Sequence, residues 1–437
     1  MRFITYSSLL LACLWAGLCP GSTASADVQA GEIIDESNWE KVEGMIPGSV
    51  LNWIKKGDYT LKVDDLEYDP KAYMTNYDKE HFEPNKGKYE FDDEGVIMEV
   101  KGGKPADFIQ GIPFPEIGLD DPKAGAKIAT NHYYHTFTEG NISFPFQFRW
   151  VGRTGLERSV EAAIHQYPMD GYPPRKEVKN KENIERYSIL QIVAPYDIAG
   201  TNMLLWRYRD ARPDSTFAYV PAIRRVRRMS PANRSDSWIG ADICADDAWC
   251  IDGKVSSFTW KLLRKQDGLL PYMFKKVQPI EKSGGEMCAT TQQTPCWELN
   301  YETNDAQTAP WFPTEKNKLV WAKRPVYVVE LKAKDPYYNY GKQRIWVDAE
   351  NAIVVVMKDI YDRADEYWKC AWMVWSAVRT DDGSVKAILP GYMVAVDERT
   401  DHCTMLQGYC KDYIWKIYDD SQKERNYSLA GFQRLAK

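Results

Sequence analysis

Three strand-like segments that follow one another directly constrain the fold of this chain more than any other feature. Residues 188–196 read SILQIVAPY, residues 201–209 read TNMLLWRYR, and residues 216–229 read TFAYVPAIRRVRRM. Each is rich in the β-branched and aromatic residues that strands favour, and a short turn at residues 197–200 separates the first two. Strands joined by such short connections pair antiparallel. The sequence therefore predicts a curved antiparallel sheet.

A fourth segment, residues 141–152, alternates more regularly than any other. One side of this predicted strand carries four large aromatic residues, Phe144, Phe146, Phe148 and Trp150. So many apolar groups are more than a strand that faces water can sustain. We expect them to line the concave face of the sheet as an apolar ligand surface, together with Trp206 and Tyr219 from neighbouring strands. Ordinary core packing is the alternative interpretation.

The rest of the chain adds helices and a run of hairpins. Asp121-Pro122 predicts the start of a helix that extends to about His135, because Pro suits the first helical turn. A short helix is predicted at 428–435. Further strands are predicted at 256–263, 326–332, 343–347, 353–361 and 367–378. The fold class is therefore mainly β (α+β). No repeat or linker divides the chain, which indicates one domain, residues 27–437, with Cys-rich loop insertions at about 240–300 and 401–412.

The first 26 residues have the pattern of a secretory signal peptide. Arg2 supplies the positive charge, residues 9–18 form an apolar core, and Ala24-Ser25-Ala26 is a small-residue cleavage site. The apolar core is too short to span a bilayer. Cys19 suggests a lipid anchor, but Leu18 before it is too large for the usual cleavage site. The sequence predicts export to the periplasm or cell envelope without an anchor.

The overall charge bears on the partners of the protein. The formal net charge is −6 at pH 7. Because nucleic-acid binding needs a basic face, this acidic balance argues against a nucleic-acid partner. The aromatic content of 13% favours a strand-rich core or a surface for apolar ligands instead.

Six of the cysteines in the exported part form three close pairs in the sequence, Cys244 with Cys250, Cys288 with Cys296, and Cys403 with Cys410. In an exported protein such pairs favour local disulfides, since short loops close most readily. A zinc site is the alternative, but no C-x-x-C spacing occurs. Cys370 is left over, between Trp368 and Trp372 on one strand face, and we expect a buried, inert thiol there.

A cluster of arginines precedes a cluster of aspartates. The arginines are Arg224, Arg225, Arg227, Arg228 and Arg234, and the aspartates are Asp236, Asp242, Asp246, Asp247 and Asp252. The structural interpretation is salt bridging between neighbouring segments. The functional interpretation is a clamp for an anionic head group, because Arg binds phosphate or carboxylate with two hydrogen bonds. On a continuous strand Arg225 and Arg227 share a face with Tyr219, so these two arginines are the head-group candidates.

Enzymatic function has little support in the sequence. No G-x-S-x-G, H-E-x-x-H, P-loop or dinucleotide motif occurs. Only His132 and His135 could meet on one helical face, and a surface helix explains such a pair more often than a metal does. The sequence therefore predicts no catalytic residue, no metal and no cofactor.

Several of these segments resemble outer-membrane lipoprotein-sorting proteins of the LolA/LolB type and an uncharacterised periplasmic family related to them. The similar run contains a strand that ends in an apolar-x-Pro-x-Asp turn, an Arg-rich strand with aromatic-Tyr-x-Pro, and a Phe-x-Gly-x-Asp motif. Here the last of these is Trp238-Ile-Gly-Ala-Asp242. The hairpin VYVVELKAKD…YGKQRIWVDAENAIVVVMKDIYD is also similar. The pattern departs at residues 243–247, where Ile-Cys-Ala-Asp-Asp replaces Phe-Ser-Tyr-Glu-Asp.

The resemblance implies a large curved antiparallel sheet or half-barrel with helices packed on its concave side and an apolar cavity between them. It also implies a carrier that shields a lipid or another apolar molecule in the periplasm, with an inner-membrane transporter or an outer-membrane protein as partner. An acyl chain gains about 0.8 kcal/mol per buried methylene, so such a cavity needs no catalytic group. A structural or assembly subunit of the cell envelope is the alternative, and a hydrolytic enzyme is a weaker one.

Overall fold

The computed structural model describes residues 28–74, 76–137, 140–283, 286–290, 309–313, 319–350, 354–408, 414–417 and 422–435. The predicted signal peptide, residues 1–26, lies outside these ranges. Most of the described strands belong to one sheet of sixteen strands, beside which lie a two-stranded and a three-stranded sheet.

The elements follow in chain order. The strands are β1 (Ile33–Ile34), β2 (Leu61–Lys62), β3 (Tyr89–Phe91), β4 (Ile97–Glu99), β5 (Lys104–Pro105), β6 (Ile142–Gly152), β7 (Gly155–Pro168), β8 (Ile184–Ala194), β9 (Asn202–Tyr208), β10 (Ser215–Val220), β11 (Arg225–Met229), β12 (Phe258–Tyr272), β13 (Gln278–Ser283), β14 (Glu286–Thr290), β15 (Val320–Ala333), β16 (Lys342–Asp348), β17 (Val355–Tyr361), β18 (Tyr367–Thr380), β19 (Lys386–Asp397), β20 (His402–Gly408) and β21 (Ile414–Ile417). The α-helices are α1 (Gly48–Lys55), α2 (Asn76–Asn85), α3 (Ala124–Phe137) and α4 (Leu429–Leu435).

The main sheet is antiparallel over most of its width. From one edge, its strands pair in the order β11, β10, β9, β8, β7, β6, β20, β19, β18, β17, β16, β15 and β12. Strand β12 then returns to β18, where Tyr272 pairs in parallel with Trp375. A sheet that meets one of its own strands must curve strongly. The predicted mainly β fold with a large antiparallel sheet is confirmed.

Helix α3 lies directly against the main sheet. The Asp121 carboxylate accepts a hydrogen bond from the backbone N–H of Lys123 at 2.7 Å, which satisfies one of the free donors where the helix begins. A Cβ added at Gly125 would lie 3.1 Å from the backbone of Lys261 and from the Val329 side chain, so a larger residue would push these neighbours apart. The helix predicted from Asp121 to about His135 is therefore present.

Strand β18 explains why the centre of the sheet is so apolar. Eleven of its fourteen residues are buried, on both faces of the strand. A strand covered on both faces shows a near-continuous apolar sequence instead of alternation. The segment Cys370-Ala-Trp-Met-Val-Trp375 has this composition.

The Arg-rich segment 216–229 differs from the prediction of one continuous strand. It forms two antiparallel strands, β10 and β11, joined by a short turn at Pro221–Ile223. Pro cannot donate a hydrogen bond within a strand, and Arg224 adopts a left-handed conformation with φ of 48°. The chain therefore reverses at this point. Strand β11 becomes the edge of the sheet. Val226 pairs with Tyr219, so Arg225 and Arg227 lie on the face opposite Tyr219.

The Cys-rich segments predicted as loop insertions contain parts of the sheet. Residues 258–272 form β12, and residues 402–408 form β20, which pairs with both β19 and β6. The turn at Ala245–Cys250 is buried, including Asp246 and Asp247. The assignment of residues 27–437 to one domain stays a prediction. Within the described ranges, none of the helices combines the length and the apolar character needed to cross a membrane.

Candidate functional site

A cavity of about 130 Å³ lies on one face of the main sheet. We call this face the cavity face. Residues that line the cavity from β6 to β10 are Phe144, Phe146, Phe148, Ile164, Ser188, Leu190, Met203, Leu205 and Thr216. From the turn region 234–252 and from β18 to β20 come Arg234, Trp238, Ile243, Cys244, Trp249, Asp252, Met373, Tyr392, Met393 and Leu406. Most of these side chains are apolar, and this cavity is the candidate ligand site.

The pairing of the strands explains why these side chains meet. One row of directly paired residues crosses β6 to β9, and it consists of Phe144, Ile164, Leu190 and Met203. A second row crosses β6, β20, β19 and β18, and it consists of Phe148, Leu406, Met393 and Met373. Paired residues in adjacent strands point to the same face. The cavity face is therefore continuous from β9 to β18.

The phenylalanines of β6 form a packed wall. The ring centroids of Phe144 and Phe146 are 5.7 Å apart, and those of Phe146 and Phe148 are 4.9 Å apart. Opposite them, Trp249 lies 5.2 Å from Phe144 and Trp238 lies 4.6 Å from Phe148. These edge-to-face and tilted contacts fix the ring positions. The structure thus places these three predicted residues together at one cavity.

Trp150, the fourth aromatic residue of the predicted surface, is buried but lies beside the cavity and not in its lining. Its ring is 5.9 Å from Phe148, and its indole Nε1–H donates to the carbonyl oxygen of Gly240 at 3.0 Å. This hydrogen bond anchors the 238–241 turn, which carries Trp238 into the cavity. The role of Trp150 in the structure is to position that turn.

Trp206 and Tyr219 lie on the face opposite the cavity, which corrects the expectation that they join Phe144. Leu205, the neighbour of Trp206 in β9, lines the cavity, so Trp206 points the other way. Its Nε1–H donates to the carbonyl oxygen of Tyr427 at 2.9 Å, and Tyr219 belongs to the same second cluster of buried residues. The segment just before α4 therefore contributes to the cover of these aromatic rings.

Arg225 and Arg227, the head-group candidates, are exposed on β11 and are absent from the cavity lining. Neither forms an ion pair with any residue that the structure describes. Their partners in the pairing with β10 are Val220 and Ala218. Binding of an anionic head group by these two arginines stays a prediction.

Of the aspartates that follow the arginine cluster, Asp246, Asp247 and Asp252 form salt bridges, mostly with cations from the sheet. Asp252 accepts hydrogen bonds from Arg186 at 2.6 Å and from Arg207 at 2.9 Å. Within the cluster, Arg234 pairs with Asp246 at 2.6 Å. Salt bridging is therefore the structural role of these acids, although Arg186 and Arg207 were not among the expected partners. Their signal in the sequence was a single Arg in each of two strands, β8 and β9, that contain no other basic residue.

Asp247 and Lys358 form a fully buried ion pair below the cavity. Burial alone would lower the pKa of Lys358, but the adjacent Asp247 carboxylate raises this pKa above its usual value. The Tyr340 hydroxyl donates to the other Asp247 oxygen at 2.6 Å, and the backbone N–H of Cys244 donates to it at 2.9 Å. The pair holds the 245–250 turn against β17.

The predicted disulfide between Cys244 and Cys250 is absent, because both residues are free, buried thiols. Trp249 and Cys250 have left-handed backbone conformations with φ of 57° and 68°, and the Cys250 thiol donates to the carbonyl oxygen of Ala371. Burial raises the pKa of Cys250 to about 12, so the thiol is unreactive at neutral pH. Cys370 is also free and buried, as expected.

The other two predicted disulfides are only partly covered by the structure. Cys403 is a free, buried thiol, which does not support its pairing with Cys410. Cys410 and Cys296 lie outside the described residues. Cys288 lies on β14, but its side chain is not among those described.

His132 is buried in α3 as part of the core. Its Nδ1 accepts a hydrogen bond from the backbone N–H of Val355 at 3.2 Å. Burial, with a contribution from nearby His135, lowers the pKa of His132 to about 3. The imidazole is therefore neutral at physiological pH, which suits its packing role against Trp375.

Residues 33–430 match the family model described as protein of unknown function, DUF1329. The chain belongs to this family. The family relationship expected from the sequence motifs is confirmed. Among curated proteins, none matches the chain significantly.

Three solved structures are similar to the DUF1329 fold of this chain. A domain assigned to an outer membrane lipoprotein-sorting protein of Vibrio parahaemolyticus has 15% identity, covers 72% of this chain and 100% of its own, and gives a TM-score of 0.47. A DUF1329 protein of Desulfovibrio piger has 17% identity, coverages of 72% and 99%, and a TM-score of 0.45. A LolA superfamily protein of Nitrosomonas europaea has 14% identity, coverages of 70% and 98%, and a TM-score of 0.40. Identities at this level carry no information on ligand or partner.

Proposed function

We propose that this protein is a carrier that binds an apolar molecule, or the apolar part of a lipid, at the cavity lined by Phe144, Phe146 and Phe148. The observation that supports the proposal is the continuous apolar cavity face, which surrounds a volume of about 130 Å³ inside an otherwise dense core. A dry apolar cavity of about 150 Å³ is large enough to bind benzene. The cavity in its present form matches one ring or a short alkyl segment.

Three methionines on the cavity face can adapt the cavity to a longer ligand. Met203, Met373 and Met393 all line it. Methionine is unbranched and has three rotatable side-chain bonds, so it can move aside at a low energetic cost. Each methylene that enters the cavity gains about 0.8 kcal/mol. A ligand can therefore displace these side chains and extend along the sheet.

The predicted signal peptide supports a location in the periplasm or cell envelope, where an apolar ligand must cross an aqueous compartment. A carrier of this kind exchanges its ligand with an inner-membrane transporter or an outer-membrane protein. Binding requires no catalytic residue, and the proposal includes no reaction.

The first test is native mass spectrometry of the protein purified gently from its own host. A bound apolar mass is the expected result. A second test measures the fluorescence of cis-parinaric acid, a fluorescent fatty acid, as it binds to the purified protein. Phe148→Asp, which adds a charge to the cavity wall, and Leu205→Phe, which fills the cavity, should each weaken binding at least tenfold.

Tyr219→Phe is the matched control, since it changes an aromatic residue on the opposite face of the sheet. This variant should bind cis-parinaric acid like the parent protein. If the parent binds no ligand in either test, or if both cavity variants bind normally, the carrier function is wrong. Large assemblies without ligand would instead favour a structural subunit of the cell envelope.

A further inference from the structure

A second and larger cavity, of about 540 Å³, lies on the other side of the buried arginines. We call it the polar cavity. It is enclosed by the three-stranded sheet β3–β5, by α3, and by the ends of β8 and β9. Ligand pockets in proteins commonly measure about 300–1,000 Å³, so this volume suits a small organic molecule. Nothing in the carrier proposal uses this cavity.

The cations that line the polar cavity already have partners. Arg207 donates to Asp214 and Asp252, and Arg209 donates to Asp170 at 2.7 Å. The Lys254 ammonium donates to the carbonyl oxygens of Asp210 and Arg212, both at 2.5 Å. A site for an anion needs cations whose charge is uncompensated. The two arginines are held by carboxylates, so neither is available to an anionic ligand.

Glu185 is the carboxylate that distinguishes this cavity. It lies on β8 in the cavity lining and is partly exposed. Glu185 forms no salt bridge with the residues that the structure describes. Burial raises the pKa of Glu185, while the nearby Arg207 guanidinium and a hydrogen bond from the Tyr133 hydroxyl oppose this rise. A carboxyl group has up to four acceptor positions. Glu185 therefore retains capacity for a donor from a ligand.

Thr130 supplies a second, independent observation. It lines the same cavity from α3, is 3% exposed, and its Oγ1 has no hydrogen-bond partner among the described residues. Threonine inside a helix usually bonds back to a carbonyl oxygen one turn earlier. A buried hydroxyl without a partner is unfavourable. A polar atom of a ligand in the cavity would satisfy it.

Part of the remaining wall is apolar and aromatic. Phe91 and Ile109 are buried and line the cavity, as do Tyr133 and Tyr134, whose rings are in edge contact at 5.7 Å. Aromatic walls favour ligands with rings, which they contact by edge or offset stacking. Charged residues, among them Asp92, Glu94 and Lys104, also line the cavity, so an apolar ring has only part of the wall to pack against.

We propose that the polar cavity binds an uncharged ring compound that carries a hydroxyl group. The hydroxyl donates a hydrogen bond to the Glu185 carboxylate and accepts one from Thr130 Oγ1, while the ring packs against Phe91 and Ile109. This inference is independent of the carrier proposal, because the Arg207–Asp252 pair separates the two cavities. The ligand class is an aromatic or alicyclic alcohol.

The test is isothermal titration calorimetry at pH 7 with three probes of similar shape. These are 2-naphthol, which has the hydroxyl, 2-methoxynaphthalene, in which methylation removes the donor, and 2-naphthoate, which is anionic. The parent protein should bind 2-naphthol at least tenfold more tightly than either analogue, because a hydrogen bond to a charged group contributes about that much.

Two conservative substitutions test whether 2-naphthol binds beside Glu185 and Thr130. Glu185→Gln and Thr130→Val should each weaken binding of 2-naphthol about tenfold and leave the thermal unfolding temperature nearly unchanged. Glu185→Gln should also reduce the preference over 2-methoxynaphthalene, because an amide oxygen is a weaker acceptor than a carboxylate. Leu205→Phe, which fills the other cavity, should leave binding of 2-naphthol intact.

Three results would overturn the inference. They are no binding of 2-naphthol by the parent, equal or tighter binding of either analogue, and loss of binding in Leu205→Phe. The last result would place 2-naphthol in the apolar cavity and would support the carrier proposal instead. The failure of one proposal is therefore distinguishable from the failure of the other.

Discussion

Opposite faces of the same sheet carry similar residues but pack them differently. On the face away from the cavity, Trp372 of β18 contacts Trp53, Phe312 and Trp321 with ring centroids 5.2 Å, 5.7 Å and 5.4 Å away. On the cavity face, its neighbour Met373 lines the cavity. The rings of the first group fill their space, whereas those of Phe144, Phe146 and Phe148 border a volume that no side chain occupies. Aromatic content alone therefore does not distinguish core from binding surface.

The largest difference in the free energy of unfolding should be seen when one aromatic side chain on each face is replaced by alanine. Trp372→Ala should lower the free energy of unfolding by about 3–5 kcal/mol, since its rigid neighbours cannot collapse into the space. Phe146→Ala should cost less, about 2 kcal/mol, because one side of its ring already borders the cavity. Chemical denaturation of both variants measures this difference. Equal losses would mean that Phe146 is ordinary core.

A pH dependence should arise on the face that carries Trp372. Helix α1 brings Trp53 to Trp372 and Ser49 to Asp359, whose carboxylate accepts the Ser49 hydroxyl at 2.5 Å. Burial raises the pKa of Asp359 to about 6, although the hydrogen bonds from Ser49 oppose this rise. In the unfolded chain the pKa of Asp is about 3.9.

A carboxyl group with a raised pKa stabilises the fold at low pH and loses this contribution as pH rises through the folded-state pKa. The contribution of Asp359 should therefore be present below pH 4 and should disappear by about pH 6 to 7, with a size of about 3 kcal/mol. The measurement is the stability of the parent minus that of Asp359→Asn across this range. A difference that does not change with pH would contradict the assignment.

Neighbouring leucines of β9 provide a matched pair for the two faces. Leu204→Phe should destabilise the protein by about 1–3 kcal/mol, because Leu204 is fully buried in a packed cluster and has no room for a larger ring. Leu205→Phe should instead leave stability unchanged or raise it by up to about 1 kcal/mol, since the ring enters the cavity. Thermal unfolding of both variants provides the comparison. Destabilisation by both would show that the cavity cannot accept a ring.

The smallest effect concerns the hydrogen bond of Trp206. Trp206→Phe removes the donor to the Tyr427 carbonyl oxygen and should cost about 0.5–1.5 kcal/mol, the usual net value of such a bond. Binding of cis-parinaric acid should be unaffected, because Trp206 lies on the face opposite the cavity. A stability measurement combined with a binding titration checks both expectations. Loss of binding would show that the Trp206 hydrogen bond affects the cavity on the opposite face.

The opposite outcomes of Trp206 and Phe146 show how much of the site the sequence could predict. Alternation within one strand is a local property, and it correctly grouped Phe144, Phe146 and Phe148. The face on which Trp206 lies depends on how β9 aligns with β6 through two intervening strands. Register shifts between Glu161 and Ala162 and between Ile184 and Arg186 alter that alignment. A shift of one residue moves every side chain to the other face.

The sequence by itself determined the family, the mainly β fold, the aromatic wall of β6 and the presence of α3, because these depend on local composition, alternation and turn residues. Only the tertiary structure decided which charges pair, since Arg186 and Asp252 are far apart in the chain. It also separated Cys244 from Cys250, through two left-handed residues that proximity in sequence does not reveal. Both cavities arise where distant strands, turns and helices meet, and the volume left between such elements depends on their packing and not on any single segment.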